Sequence, residues 1–153
     1  MKRSLLVGIL IALLLAGCGQ MAQETIEKDL ELKIKMTMQA EGKLDLSAGL
    51  HNPRKVDYQG TESFNGLLEV LNEAGEVRTS GETYSFSPLA GGETSYPLTY
   101  QLTLEPGTYT VRYSALGKEP LEVQFEILDK DGTLYLRAPA DVIDPFTEFT
   151  SAR

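Results

Sequence analysis

Leu104-Glu105-Pro106-Gly107-Thr108-Tyr109-Thr110-Val111 is the stretch that decides the fold. Proline holds φ at about −65° and glycine tolerates φ > 0, so Pro106-Gly107 suits a type II turn. After the turn, Tyr109 and Val111 alternate with Thr108 and Thr110, which predicts a strand with Tyr109 facing the core. The alternation extends both ways. Upstream, Ser95–Leu104 places Leu98, Tyr100, Leu102 and Leu104 on one face. Downstream, Thr108–Leu116 does the same with Tyr109, Val111, Tyr113 and Ala115. Successive side chains on a strand point to opposite faces, so a period of two marks a half-buried strand.

The same period governs the rest of the chain. Leu30, Leu32, Ile34, Met36, Met38 and Ala40 alternate with polar residues. Glu41-Gly42 is a turn signal, and Leu44, Leu46, Ala48 and Leu50 resume the pattern, so residues 30–51 read as a β-hairpin. Glu31, Lys33 and Lys35 form its solvated face, and such charges discourage edge pairing. Asn52-Pro53 stops the second strand because proline cannot donate to a ladder. Short strands are predicted at Lys55–Gln59, with Val56 and Tyr58 on one face, and at Phe64–Leu71, Glu76–Thr79 and Thr83–Ser87. Asn72–Gly75 and Pro88–Gly92 separate these segments. Leu121–Ile127, the turn Asp129–Gly132 and Thr133–Arg137 complete the series. Short, evenly spaced strands with no helical periodicity make an all-β sandwich or barrel.

The pattern LxPGxYxV at residues 104–111 resembles the E–F corner of immunoglobulin-like antiparallel β-sandwiches. There a tyrosine bonds its hydroxyl to upstream backbone, the tyrosine corner. The resemblance implies that Pro106, Gly107 and Tyr109 are structural. It also implies that Ser95–Leu104 is strand E, Thr108–Leu116 strand F, Leu121–Ile127 strand G, and the hairpin A and B. Cys18 is the sole cysteine and tryptophan is absent, which excludes antibody-type domains with their disulfide and core tryptophan. Over about residues 44–116 the order of features is similar to the bacterial intracellular proteinase inhibitor family. Asn52-Pro53, the Asn72–Gly75 turn, the Pro88–Glu93 loop and the Pro106–Val111 corner carry that similarity. These residues determine fold, so the resemblance assigns no inhibitory residue.

Lys2 and Arg3 precede an apolar run from Leu5 to Ala16. A helix of that length spans about 18 Å, short of the roughly 30 Å bilayer core, so the run reads as an export signal. It ends in Leu15-Ala16-Gly17-Cys18, which resembles the lipobox of bacterial lipoproteins. The resemblance implies cleavage between Gly17 and Cys18, diacylglycerol on the Cys18 thiol, and acylation of the new amine. One acyl chain binds a membrane marginally, whereas two or more anchor stably. Residue 19 is Gly and not Asp, which by family precedent directs the protein to the outer membrane of a two-membrane cell. The expected organisation is a signal peptide at 1–17, a lipidated tether at 18–28, the sandwich at 29–137 and a tail at 138–153. In the tail, Val142, Ile143, Phe146 and Phe149 either pack over a sheet edge or capture a partner.

Charge narrows the function. The 153-residue chain carries −8, and removing residues 1–17 takes two bases and no acids, leaving 12 bases against 22 acids, or −10. Such a surface disfavours nucleic acid. His51 is the lone histidine, and with Cys18 committed to lipid no histidine pair or free thiol remains for a metal or nucleophile. Asp129-x-Asp131-Gly132 lacks the further ligands of a calcium loop and reads as a polar turn. No metal and no cofactor are expected. Tyr84, Phe86, Tyr96 and Tyr100 either share in the core or form a contact patch. The function expected is that of an envelope lipoprotein, held to the membrane through Cys18, that binds a protein, peptide or glycan without catalysis. The alternative is proteinase inhibition by the Pro88–Glu93 or Asn52–Glu62 loop, and a third is hydrolysis by paired carboxylates. Replacing Cys18→Ala is expected to abolish palmitate labelling and release the chain from membranes. Unchanged labelling and retention would contradict the lipobox.

Overall fold

Strict alternation has a structural consequence: each strand has one apolar face, and two sheets must bury those faces against each other. The computed structural model describes residues 26–39, 42–62 and 66–145. The signal peptide, Gly17, Cys18, the tether through residue 25, Glu41 of the first turn, and Phe146 and Phe149 lie outside the described residues. Among the described residues the strands in chain order are β1 (Glu31–Met38), β2 (Lys43–His51), β3 (Gly66–Asn72), β4 (Val77–Thr83), β5 (Thr94–Thr103), β6 (Gly107–Ala115), β7 (Leu121–Lys130) and β8 (Thr133–Arg137). They make a three-stranded sheet, β1-β2-β5, and a five-stranded sheet, β4-β3-β6-β7-β8. Every neighbouring pair is antiparallel. The protein is an all-β sandwich. Its order matches immunoglobulin-like strands A-B-E against C′-C-F-G, with β8 added beside G.

The core lies between the sheets. Ile34, Met36 and Met38 of β1, Leu44, Leu46, Ala48 and Leu50 of β2, and Leu98 of β5 face Leu68, Val70, Val111, Tyr113, Val123, Phe125 and Ile127 of the other sheet. Burying one such large side chain is worth about 1.5–3 kcal/mol, so this shared interior is the main stabilising contribution. At the corner, Tyr109 Oη donates to the Glu105 carbonyl at 3.0 Å, and its ring stacks on Phe125 with centroids 5.6 Å apart. Gly107 differs from expectation. It is absent from the glycines with positive φ and already begins β6, so Pro106-Gly107 forms no type II turn. A Cβ at Gly107 would stand 3.6 Å from the Tyr109 ring, an ordinary contact. The Tyr109 bond, and not a left-handed glycine, closes this corner.

Other expectations also need correction. Lys55–Gln59 is not a strand. Tyr58 makes an isolated bridge to Leu89 and is buried, while Val56 is 58% exposed, so the two share no face. In place of the two segments Glu76–Thr79 and Thr83–Ser87 there is one strand, β4, which runs through Val77–Thr83, and beyond it only Phe86 pairs, in an isolated bridge to Thr61. The triplet Gly81-Glu82-Thr83, which recurs at 92–94, reads as turn punctuation in sequence, yet Gly81 lies under the Tyr100 ring of β5. A Cβ there would fall 1.3 Å from Tyr100 Oη. Glycine is present for close packing, and the strand runs straight through it.

Among the described residues, the packed part of the chain includes residues 26–30. Residues 26–29 form one helical turn, Leu30 N donates to the Ile26 carbonyl at 3.2 Å, and Ile26 and Leu30 are core residues. At the other terminus, Met36 N donates to the Val142 carbonyl and Asp144 N to the Met36 carbonyl, both at 2.8 Å. Asp144 also pairs with Lys35 at 3.2 Å. The tail through residue 145 therefore lies along the free edge of β1.

The hydroxyls of Tyr58 and Tyr113 are buried with no hydrogen-bond partner among the described residues. Burial pushes the Tyr58 phenol up to about 12, with Glu27's negative charge adding to it, and burial also raises Tyr113. Both folded pKa values exceed the unfolded value of about 10, so their contribution is full below pH ~10 and is lost as pH rises toward about 12. Urea unfolding is expected to show falling stability above pH ~10, less steep in a Tyr58→Phe variant. That variant is expected to be at least as stable at neutral pH, since it removes an unsatisfied polar atom. A loss beyond about 1 kcal/mol would contradict this account.

Candidate functional site: the braced loop end

Asn52 ends β2 at a point where Pro53 withholds an amide, so the chain must leave the ladder. Its backbone is still paired: Asn52 N donates to the Glu93 carbonyl at 2.9 Å, and Gly92 N donates to the Asn52 carbonyl at 2.8 Å. The side chain is wholly buried. Asn52 Nδ2 donates to the carbonyls of Val56 at 2.8 Å and Leu89 at 3.3 Å, and Oδ1 accepts from Arg54 N at 3.1 Å. One amide thus joins loop 52–62 to loop 84–93.

Further bonds brace the two loops. Tyr58 and Leu89 exchange backbone bonds at 2.9 and 2.8 Å, and Thr61 and Phe86 at 3.0 Å each. Asp57 Oδ1 accepts from Gly91 N at 3.1 Å, and Glu93 Oε2 accepts from Ala90 N at 2.9 Å. Gly91 packs so closely that an added Cβ would lie 2.6 Å from the Lys55 backbone. Phe86 and Leu89 are buried, while Pro53, Arg54, Lys55, Val56, Pro88 and Ala90 are exposed. The result is a rigid double loop with an exposed rim of mixed charge and apolar surface.

The chain joins the sandwich at this same end. Asp29 pairs with Arg54, and Lys118 Nζ donates to the Lys28 carbonyl at 2.5 Å. Beside them an open cavity of about 420 Å³ is lined by Glu27, Lys28, Leu116, Gly117 and Lys118. The E–F corner and the β3–β4 and β7–β8 turns lie at the opposite end of the strands.

The remaining sequence candidates are placed separately. His51 ends β2, the middle strand of its sheet, and its Nδ1 lies 2.9 Å from Thr94 Oγ1 and 3.2 Å from the Glu93 carbonyl. Asp129 Oδ1 accepts from Gly132 N at 2.8 Å, closing the β7–β8 turn. Phe86 belongs to the core, Tyr100 covers Gly81, Tyr96 lies beneath Lys35 Nζ at 5.1 Å, and Tyr84 is 66% exposed. The four aromatics therefore divide between core and surface and form no single patch. Carboxylates pair with bases on the sheet faces: Glu122 with Arg112 at 2.6 Å, Glu126 with Arg137, and Glu31 with Lys33 at 2.8 Å. The hydrogen bond and charge of Lys33 hold Glu31 below the usual carboxylate range. Among the described residues no three histidine, cysteine or acidic side chains gather in a metal-binding group.

Asn52 is the residue that sequence reasoning undervalued. The Asn-Pro pair signals a strand stop, whereas the amide's long-range partners, 37 residues away at Leu89, leave no local signature. No protein-family model matches this chain, and no curated protein matches it.

Replacing Asn52→Ala removes the side-chain partner of the Val56 carbonyl and the Arg54 amide and leaves the Leu89 carbonyl with Tyr58 N alone, which is expected to cost about 1–3 kcal/mol in urea unfolding. Asn52→Asp turns a donor into a buried carboxylate facing those carbonyls. Its folded pKa would exceed the unfolded value of about 3.9, so this variant is expected to gain stability relative to wild type as pH falls from 7 to 5. Wild-type stability in Asn52→Ala would refute the bracing role.

Proposed function

We propose that the chain is exported, cut before Cys18 and held by lipid in the bacterial envelope, in the outer membrane where there are two. There it binds an envelope protein, peptide or glycan, without catalysis, through the loop end. The observation that carries the binding role is the pair of loops locked by Asn52. A rigid scaffold that presents braced loops is a common way to build a recognition surface, because little ordering entropy is lost on binding. The anchor rests on the lipobox resemblance at Leu15-Ala16-Gly17-Cys18 and the short apolar run before it.

Ile26 packs into the domain at the loop end, and only the seven residues 19–25 separate it from Cys18, a chain of eight Cα-to-Cα steps. Fully extended, that length reaches about 27 Å. The loops are therefore held close to the bilayer, and the partner is one met at the membrane surface. Proteinase inhibition is the second reading, favoured by one observation: the Pro88–Glu93 loop is fixed by Asn52 and Asp57, as a loop resisting cleavage must be.

Photo-crosslinkers placed at Val56, Ala90 and Ala74 in native envelopes test the proposal. A discrete adduct is expected from the first two positions and not from Ala74 in the opposite β3–β4 turn, and Cys18→Ala is expected to weaken it. Equal adducts from all three positions would contradict loop-end binding. Stoichiometric slowing of a proteinase by the purified chain would instead favour the second reading.

A further inference from the structure

The two sheets have four edge strands: β1 and β5 in one, β4 and β8 in the other. An open edge is a template for another strand, and proteins usually block it. Here β1 is covered by residues 142–144. β5 carries Pro97, which has no N–H, and its register shifts against β2 between Ala48 and Leu50. β8 is only five residues long and its Arg137 is tied to Glu126.

β4 differs from the other three. It runs seven residues, VRTSGET, with no proline and no lysine, and among the described residues no strand pairs with its outer side. A register shift opposite Leu71 marks its start, but from Thr79 to Thr83 it follows β3 without interruption. Val77 is 51% and Tyr84 66% exposed at its two ends. Its charges are also placed with a symmetry. Arg78 and Glu82 stand two residues either side of Ser80, and both are exposed.

We propose that β4 pairs antiparallel with β4 of a second copy of this chain, about a two-fold axis at Ser80. In that register Arg78 of each copy lies opposite Glu82 of the other, Thr79 opposite Gly81, Val77 opposite Thr83, and Ser80 opposite itself. Arg78 has no ion-pair partner among the described residues, and Glu82 accepts a bond from Tyr84 Oη at 2.8 Å. Opposite charges directly across an antiparallel pair favour that register, while the self-complementary order is what a two-fold interface requires. The two five-stranded sheets then join into one continuous sheet. A single strand pair is smaller than the roughly 1,200 Å² of a standard interface, so the dimer is weak and forms at high local concentration. The pairing itself needs no lipid anchor.

Ser80→Cys in the purified, concentrated full chain tests this under mild oxidation, with the linked peptides identified by mass spectrometry so that Cys18 is not confused with the new thiol. A disulfide joining the two position-80 sulfurs is expected. Adding Arg78→Glu is expected to lower the yield about fivefold through like-charge contacts, and the double exchange Arg78→Glu with Glu82→Arg to restore it. Three results would overturn the proposal: no link at position 80, an equal yield of self-linked chain from Glu82→Cys, or a yield indifferent to the charge exchange. An edge reserved for another protein's strand would give the first of these.

Discussion

The side chain of Asn52 is wholly buried and meets only backbone: the carbonyls of Val56 and Leu89 and the amide of Arg54. Loops normally stay at the surface because their polar backbone needs water. One amide supplies both donor and acceptor at the place where β2 stops, and with the Tyr58–Leu89 and Thr61–Phe86 backbone pairs it holds two loops over the end of this sandwich. With that amide in place, Tyr58, Phe86 and Leu89 extend the core beyond the strand ends. Without it, the Val56 carbonyl and the Arg54 amide would lose this partner, and the Leu89 carbonyl would keep only Tyr58 N.

This constraint connects fold to location. The braced loops occupy the end at which the chain joins the domain, where Asp29 meets Arg54 and Lys118 meets the Lys28 carbonyl. A short lipid-anchored tether leaving from that end would hold the loops toward the membrane. The tail does the complementary work on the side of the sandwich, where Val142 and Asp144 occupy the β1 edge. Of the remaining edges, β4 is the one whose exposed charges suit its own antiparallel copy.

Much of the fold was legible in the sequence because a half-buried strand declares itself through a period of two. β1, β5, β6 and β7 alternate between buried and less buried residues over most of their length, β2 is buried throughout Leu46–Leu50 as the middle strand of its sheet, and each was visible from its alternating apolar positions. β4 was harder, since its residues are largely exposed and its glycine serves packing across the sandwich. Pro106-Gly107 shows the opposite error: a dipeptide typical of one turn was used in another, because Tyr109's hydroxyl closes the corner. Ile26 looked like part of a polar tether because its neighbours Gln23, Glu24 and Glu27 are polar, while its contacts are distant in sequence. Asn52 was legible as a strand stop but not as a brace. Its role depends on Leu89, which only the folded chain brings near.

On the proposed reading, the Asn52-braced loop end faces the membrane to which a lipidated Cys18 would hold the chain. Energy transfer from a dye at Ala90→Cys or Ala74→Cys to an acceptor in the bilayer measures it directly in vesicles carrying the mature lipidated chain. The account predicts stronger transfer from position 90 than from position 74, which sits at the other end of strands about 30 Å long. Stronger transfer from position 74, or equal transfer from both, would contradict it.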